Sequence, residues 1–533
     1  MPKPMNADLL LRSAKKAVKD QDWVTAIDAV QQMRQRFPAN KKAKALWEDL
    51  RTSGLPALVG QAQSLLAAGD KVAAAKQLRA AHALSPSDLG IGSAYGICLL
   101  DMGRAPSAEK VAAALLPHHP GNLSVLNLQG RALREMGRSE AARACFDKAL
   151  ATAPDDPQTL SNIGTLERAL GRREAAVDAY RKALKAAPDN VTLHHNMAQA
   201  VKYTASDAHL RDMKELNARL GAGKPDHAPL SFALFKALDE IDARAEAFGH
   251  LEKGNKRAAS LAGFDFQSHK IPYALSKVLF ENAQIAPASE VGALAPIFVT
   301  GLPRSGTSLV ERILARHHGA QPCGELTVVP QAVSALLTRI MARDAKVLQA
   351  QDIADLRSEM LEGFAAYSDG RPILIDKMPL NYRWIGYICA ALPEAKVVHI
   401  VRDPMPVAWS LYKLKFQGEG NDFVYDPTAI AQVMYLHDTY MTLWRAQCGD
   451  RIVELRYEEL IANTELETQK LATALGLDWS EDWLSPERAE SQVLTASADQ
   501  VRRPIYRDAN ADWRRYEAQL APLQNALEKM GLL

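Results

Sequence analysis

Four glycines, Gly69, Gly103, Gly137 and Gly171, recur every 34 residues, and each is followed 17 residues later by a proline: Pro86, Pro120, Pro154 and Pro188. Other positions keep the same period. Small residues stand seven before each glycine (Ala62, Gly96, Gly130, Gly164), and alanines stand five after it (Ala74, Ala108, Ala142, Ala176). Nine after it come Leu78, Ala112, Phe146 and Tyr180. A glycine breaks the chain between two helices, and a proline ends the second because it cannot continue the hydrogen-bond ladder. Each hairpin leaves an apolar face that only the next can cover, so the units must stack side by side.

This pattern resembles the tetratricopeptide repeat over at least four units, roughly 55–188, and implies an α-solenoid. A further hairpin at about 7–40 keeps the 17-residue interval, from Gln21 to Pro38. Pro38 precedes Pro86 by 48 residues rather than 34, so an insertion separates them. After Pro188 the consensus fades, and Val191–Leu220 reads as a continuing helical cap. Gly221-Ala-Gly-Lys-Pro-Asp226 reads as a linker, and Leu230–Phe280 as helices leading to a second domain. The expected division is a repeat domain over 1–224, a helical linker over 225–290 and a second domain over 291–533. Solenoids of this kind present a concave surface to a peptide or partner, or pair with a second copy; a passive arm is the alternative.

The second half opens on Ile297-Phe-Val-Thr-Gly-Leu-Pro-Arg-Ser-Gly-Thr-Ser-Leu-Val-Glu-Arg-Ile-Leu314, a β-branched run, a Gly/Pro/Ser loop and an amphipathic helix pattern. Such a turn aims backbone N–H groups and a helix N-terminus at an anion. Gly301, Gly306 and Ser308 fit the nucleotide fingerprint G-x-x-x-x-G-K-[ST], but Thr307 stands where its lysine should be. The nearest cation is Arg304, whose planar fork suits two oxygens at once. Strand-like runs at Ile297–Val299, Pro372–Ile375, Lys396–Val401 and Arg451–Leu455 alternate with helical segments such as Gln331–Arg343, Asp352–Tyr367 and Thr428–Gln447. That alternation predicts a parallel sheet between helices, with ligands at the carboxyl ends of the strands.

Pro303-Arg-Ser-Gly-Thr-Ser308 resembles the 5′-phosphosulfate loop of sulfotransferases, in the form found in the tyrosylprotein group. The strand that ends in Arg402-Asp-Pro404, with Ser410 two turns into the next helix, is similar to the same family's 3′-phosphate motif. The resemblance implies a P-loop-like three-layer α/β domain and 3′-phosphoadenosine 5′-phosphosulfate as co-substrate, with no metal. It implies nucleotide contacts from Arg304, Ser305, Gly306, Thr307 and Ser308, 3′-phosphate contacts from Arg402 and Ser410, and Tyr457 (in Arg456-Tyr-Glu-Glu-Leu460) beside the adenine. Thr495–Ile505 resembles the late loop that closes over the nucleotide, with Arg503 on the 3′-phosphate and Ser497 on the phosphosulfate. Glu325, in Pro322-Cys-Gly-Glu-Leu326, matches the family's general base. Lys377, in Asp376-Lys-Met-Pro379, matches the lysine that, with Arg304, steadies the leaving group. The basic run Arg502, Arg503, Arg507, Arg514 and Arg515 otherwise has the pattern of a solvated face. His317, His318 and His399 are the alternative bases.

The implied activity is sulfonate transfer to an acceptor hydroxyl. Peptide tyrosine is among the acceptors, and a carbohydrate, lipid or small alcohol stays open. The other readings are an ATP-dependent kinase with a variant loop, which Thr307 and the Arg402–Ser410 pair argue against, and an inactive scaffold. A formal charge of +2 over 533 residues supplies no field for nucleic acid, so any basic site is local. Five cysteines without a C-x-x-C pair argue for a reducing compartment and against a zinc site. With no signal-type N-terminus and no apolar run of membrane length, the expectation is a cytoplasmic chain.

Overall fold

The computed structural model describes residues 6–220, 227–281, 288, 292, 294–343, 347–416, 420–489, 492–494, 501–505 and 510–533. It divides into two compact units, Met1–Asn162 and Ile163–Leu533. This division falls inside the repeat array, well before residue 224. Among the described residues no helix is long and apolar enough to cross a membrane.

The first unit consists of antiparallel helix pairs in the expected register. Helices Leu89–Asp101 and Ala105–Leu115 are followed by Leu123–Glu135 and Ser139–Thr152. Their starts are capped where the sequence offers Asp or Asn: the Asn122 side chain accepts from Val125 N–H at 3.3 Å and Asp88 from Ile91 N–H at 2.9 Å. The recurring small residue has a steric cause. A Cβ on Gly130 would lie 2.3 Å from the Phe146 ring, so the two helices approach closely only because position 130 has no side chain. In the first hairpin Gln21 takes the left-handed conformation (φ 56°) that Gly69, Gly103 and Gly137 hold in the later ones. The insertion before Pro86 lengthens one helical run: Lys41–Asp49 continues through a π-turn, Leu50–Gly54, into Leu55–Ala67.

In the second unit the expected continuous helix over Val191–Leu220 is interrupted. Val191–Ala200 ends in extended backbone at Val201, and a new helix begins at Ala208. Tertiary anchors override local propensity here. Tyr203 N–H donates to Glu240 at 2.8 Å, and the buried Tyr203 hydroxyl bonds His209 at 2.7 Å. Residues 227–281 form three helices, His227–Glu240, Arg244–Ala262 and Phe266–Glu281, which are not a free connector. Phe232, Leu234, Phe235 and Leu238 share a core with Val407, Trp409, Met434 and Tyr516. Arg515 closes on Asp239 at 3.0 Å, so this member of the basic run is an ion-pair anchor of the core.

Five parallel strands make the sheet: β1 (Ile297–Gly301), β2 (Ala320–Pro322), β3 (Ile373–Asp376), β4 (Lys396–Val401) and β5 (Ile452–Arg456), in the order β2-β3-β1-β4-β5. Both faces are covered. Phe298, Leu374 and Val397 pack against Val333, Leu356, Phe364 and Trp444, while Val299, Ile375 and Val398 pack against Val310, Ile313 and Leu460. Burial on both sides is what near-continuous apolar strands require. The chain leaves β1 at the point where strand order reverses, the place where open sheets hold their ligands.

Candidate active site

Each of the five strands delivers a sequence-predicted residue at its carboxyl end. The loop 302–306 follows β1, Glu325 follows β2, Lys377 follows β3, Arg402 follows β4 and Tyr457 follows β5.

The loop is held in conformations that only this packing sustains. Arg304 has φ 73°, unusual for a residue with a Cβ, and such strain collects at functional sites. Gly306 has φ 113°, and a Cβ there would lie 2.5 Å from the Tyr457 ring. The loop helix Thr307–Leu314 starts directly after it, with Thr307 and Ser308 buried. Ser305 is also buried, and its hydroxyl oxygen has no hydrogen-bond partner among the described residues. A buried hydroxyl without a partner costs free energy that an anion's oxygen would recover.

Behind the loop two arginines converge. Arg304 Nε donates to Ser410 Oγ at 2.9 Å. Arg402 donates from Nη1 to the Arg304 carbonyl at 3.0 Å, and from Nε and Nη2 to Asn510 Oδ1 at 3.0 and 2.7 Å. Its guanidinium lies 4.2 Å from the centre of the Tyr457 ring, a cation–π contact. Asn510 in turn donates to Glu458 at 2.9 Å. Two guanidinium groups and a hydroxyl thus meet in one place, a donor set suited to a doubly charged phosphate. Arg503 is exposed, and the Arg402 fork is taken by Asn510. Arg502 turns to the Ala169 carbonyl rather than to solvent. Ser497 and Arg507 lie outside the described residues.

On the other side of the loop Lys377 Nζ donates to Glu325 Oε1 at 2.6 Å. The lysine side chain is fully buried and the glutamate is 44% exposed, so the pair opens toward solvent through the carboxylate. The register of β2 on β3 brings them together: Pro322 pairs with Ile375, Cys323 N–H donates to the Ile375 carbonyl, and Lys377 N–H donates to the Gly324 carbonyl. His399 is packed in its strand between Glu454 and His437, and burial pushes its pKa down to about 4. His317 and His318 stack on each other at 4.6 Å.

Residues 296–481 match the family model described as "Sulfotransferase family", and residues 65–132 and 127–191 match tetratricopeptide-repeat models. The chain carries a sulfotransferase-family domain behind tetratricopeptide repeats. It is 29% identical over 341 residues to an uncharacterised protein of Aquifex aeolicus, covering 61% of this chain and 45% of that one. It is 25% identical over 236 residues to a protein-tyrosine sulfotransferase of Drosophila melanogaster, covering 41% of this chain and 46% of that one. The chain therefore spans about half the length of these two curated relatives. A sulfotransferase domain from the curacin biosynthetic pathway aligns over 46% of this chain and 99% of its own, at 16% identity and a TM-score of 0.32.

Three residues of the sulfotransferase domain's site escape the motif reading. Glu311, on the loop helix, is buried and accepts Gly324 N–H at 2.9 Å. Asp376, fully buried, accepts Leu326 N–H at 3.2 Å and the Asn381 amide at 3.0 Å. These two carboxylates pin the backbone on either side of Glu325. Burial raises both pKa values, that of Asp376 to about 8, with Lys377 opposing the rise in each. Asp376 is thus mainly protonated at neutral pH, and the burden of balancing the buried ammonium shifts to Glu325. The third is Asn510. A lone acid within the apolar run Ser308-Leu-Val-Glu-Arg-Ile-Leu314 was the only sequence signal for Glu311; nothing marked Asn510.

Proposed function

We propose that the sulfotransferase domain moves a sulfonate group from 3′-phosphoadenosine 5′-phosphosulfate to an acceptor hydroxyl. The observation that carries this reading is the Glu325–Lys377 pair, set beside a phosphate loop that has no lysine, contains Arg304 and is bonded by Arg402. The residues present suit the donor: Ser305 offers a hydroxyl without a partner among the described residues, Ser305–Ser308 offer backbone N–H groups at a helix start, Arg402 and Ser410 gather donors for the 3′-phosphate, and Arg304, bonded to Ser410, serves the 5′-phosphosulfate. Tyr457, already stacked on Arg402, walls the nucleotide side. The resemblance assigns Arg503, and Ser497 outside the described residues, to contacts with the same nucleotide.

In the proposed step the acceptor oxygen attacks sulfur while its proton passes to Glu325, and the bond from sulfur to the bridging oxygen breaks. The leaving phosphoadenosine takes that bond's electron pair, and Lys377 and Arg304 meet the charge. An ammonium has three donors, so Lys377 can hold Glu325 and the bridging oxygen together. A free phenol near pKa 10 is too weak an acid for an ordinary carboxylate, but it loses its proton readily once its oxygen is bonding to sulfur. Transfer of the proton is therefore concerted with attack. Peptide tyrosine is the acceptor to which the curated relatives point, and the repeats are read as the module that brings a protein partner or substrate. Phosphoryl transfer from ATP is disfavoured by Thr307 at the lysine position.

The test is Glu325→Gln. It should abolish transfer to every acceptor the parent uses while binding adenosine 3′,5′-bisphosphate normally; transfer at the parent rate would remove Glu325 from the chemistry.

A further inference from the structure

A cavity of about 660 Å³ lies among the helices Val191–Ala200, His227–Glu240, Arg244–Ala262 and Phe266–Glu281 and residues 415–416 and 420–425. That is the size of a small-molecule site, typically ~300–1,000 Å³. Leu261, Pro272, Phe416 and Tyr425 give it apolar walls. None of the residues assigned above to sulfonate transfer is among its described lining, so the two readings stand or fall separately.

The charges inside do not cancel. Arg383 Nη2 donates to His269 Nδ1 at 3.3 Å, which leaves the imidazole proton on Nε2, and Nε2 donates to Asp422 at 3.0 Å. One cation and one carboxylate are thus balanced through a neutral histidine. Lys415 has no such partner: among the described residues no carboxylate lies within ion-pair distance of it. Burial lowers its pKa, and no anion among the described residues acts to raise it. The buried His195, on which Lys415 acts electrostatically, is itself held neutral, its pKa pushed down to about 3 chiefly by burial. Asn421 is among the lining residues, and its side-chain oxygen is buried without a hydrogen-bond partner among the described residues. A half-buried ammonium and an orphaned amide in an apolar hollow are each costly unless something occupies the hollow.

We propose that this cavity binds a small amphiphilic monoanion that also carries an O–H or N–H donor. The anion meets Lys415, the donor meets Asn421, and an apolar body lies along Phe416 and Tyr425. A hydroxylated aromatic carboxylate has this chemistry. A neutral compound of the same shape leaves Lys415 unpaired, and a dianion exceeds the one uncompensated charge.

Calorimetric titration of the full chain with three probes tests this: 3-(4-hydroxyphenyl)propionate, its neutral amide, and its methyl ether, which keeps the acid but loses the donor. The hydroxy acid should bind saturably, and the amide at least about tenfold more weakly, the scale of one charge-assisted hydrogen bond. The ether should fall between them. Lys415→Met, which preserves side-chain length, should erase the preference for acid over amide. Binding should persist when adenosine 3′,5′-bisphosphate is saturating. Absence of saturable binding at millimolar acid, equal affinity for acid and amide, a preference that survives Lys415→Met, or competition by the bisphosphate would each overturn the proposal. The probe series on the parent chain decides the matter even if the variant fails to fold.

Discussion

Replacing Glu311 by alanine tests whether the base is positioned from behind. The structure gives Glu311 one directional contact, the Gly324 N–H at 2.9 Å, next to Glu325 in the chain. Losing that acceptor orphans a part-buried N–H, a cost of roughly 1 kcal/mol or more. The same substitution removes a carboxyl group whose raised pKa shows that its ionised form is already disfavoured where it sits. The two effects oppose each other, so the melting temperature should change little. Catalysis should change more. With the turn released on one side, an error of about 1 Å at the Glu325 carboxylate costs roughly 10²-fold in rate. Glu311→Gln keeps an oxygen acceptor in place and mimics the protonated acid, so it should restore most of that rate. The assay is release of adenosine 3′,5′-bisphosphate at saturating donor and acceptor, with kcat and KM measured for parent, Ala and Gln. Parent-like kcat in Glu311→Ala, or Gln falling as far as Ala, would refute the positioning argument.

Three further outcomes follow from the same geometry. Arg402→Ala should weaken bisphosphate binding by about 10- to 100-fold, the scale of one lost charged hydrogen-bond partner, and unchanged affinity would move the 3′-phosphate site elsewhere. Gln21→Gly should stabilise the first unit by about 0.5–1 kcal/mol in urea melts, because Gln21 holds a left-handed conformation that costs a residue with a Cβ; a loss of stability would show that its side chain matters more. Burial pushes His195 and His209 down to about 3 and His399 to about 4, so their contribution is full above the unfolded value and is lost as pH falls below about 6.5. Each costs roughly 2 kcal/mol by pH 5. Asp376 and Glu311 act in the opposite sense, favouring the fold as pH falls, and offset part of this. The second unit should therefore weaken by about 1–3 kcal/mol between pH 6.5 and 5; a rise over that range would contradict the sign.

The repeats were legible because their constraint is local and periodic: Gly130 and Phe146 sit 16 residues apart and touch. The phosphate loop was legible because strand, loop and helix are contiguous. What the residues could not disclose depended on register and on distant partners. β2 is only three residues long and carries no alternation, yet its pairing with β3 brings Glu325 onto Lys377. Arg304 and Ser410 read as contacts to different parts of a nucleotide, whereas here one side chain bonds the other across 106 positions. The helices at 227–281 read as a connector because nothing local says that Phe235 will pack against Trp409. The break after Ala200 followed from Glu240, forty residues downstream, capturing Tyr203 N–H.

The most direct measurement is calorimetric titration of the full chain, without added metal, with adenosine 3′,5′-bisphosphate and with ATP. The account predicts that the bisphosphate binds more tightly than ATP, since Arg402 and Ser410 are the proposed 3′-phosphate ligands and Thr307 replaces the lysine that a β,γ-phosphate needs. Tighter binding of ATP would contradict it.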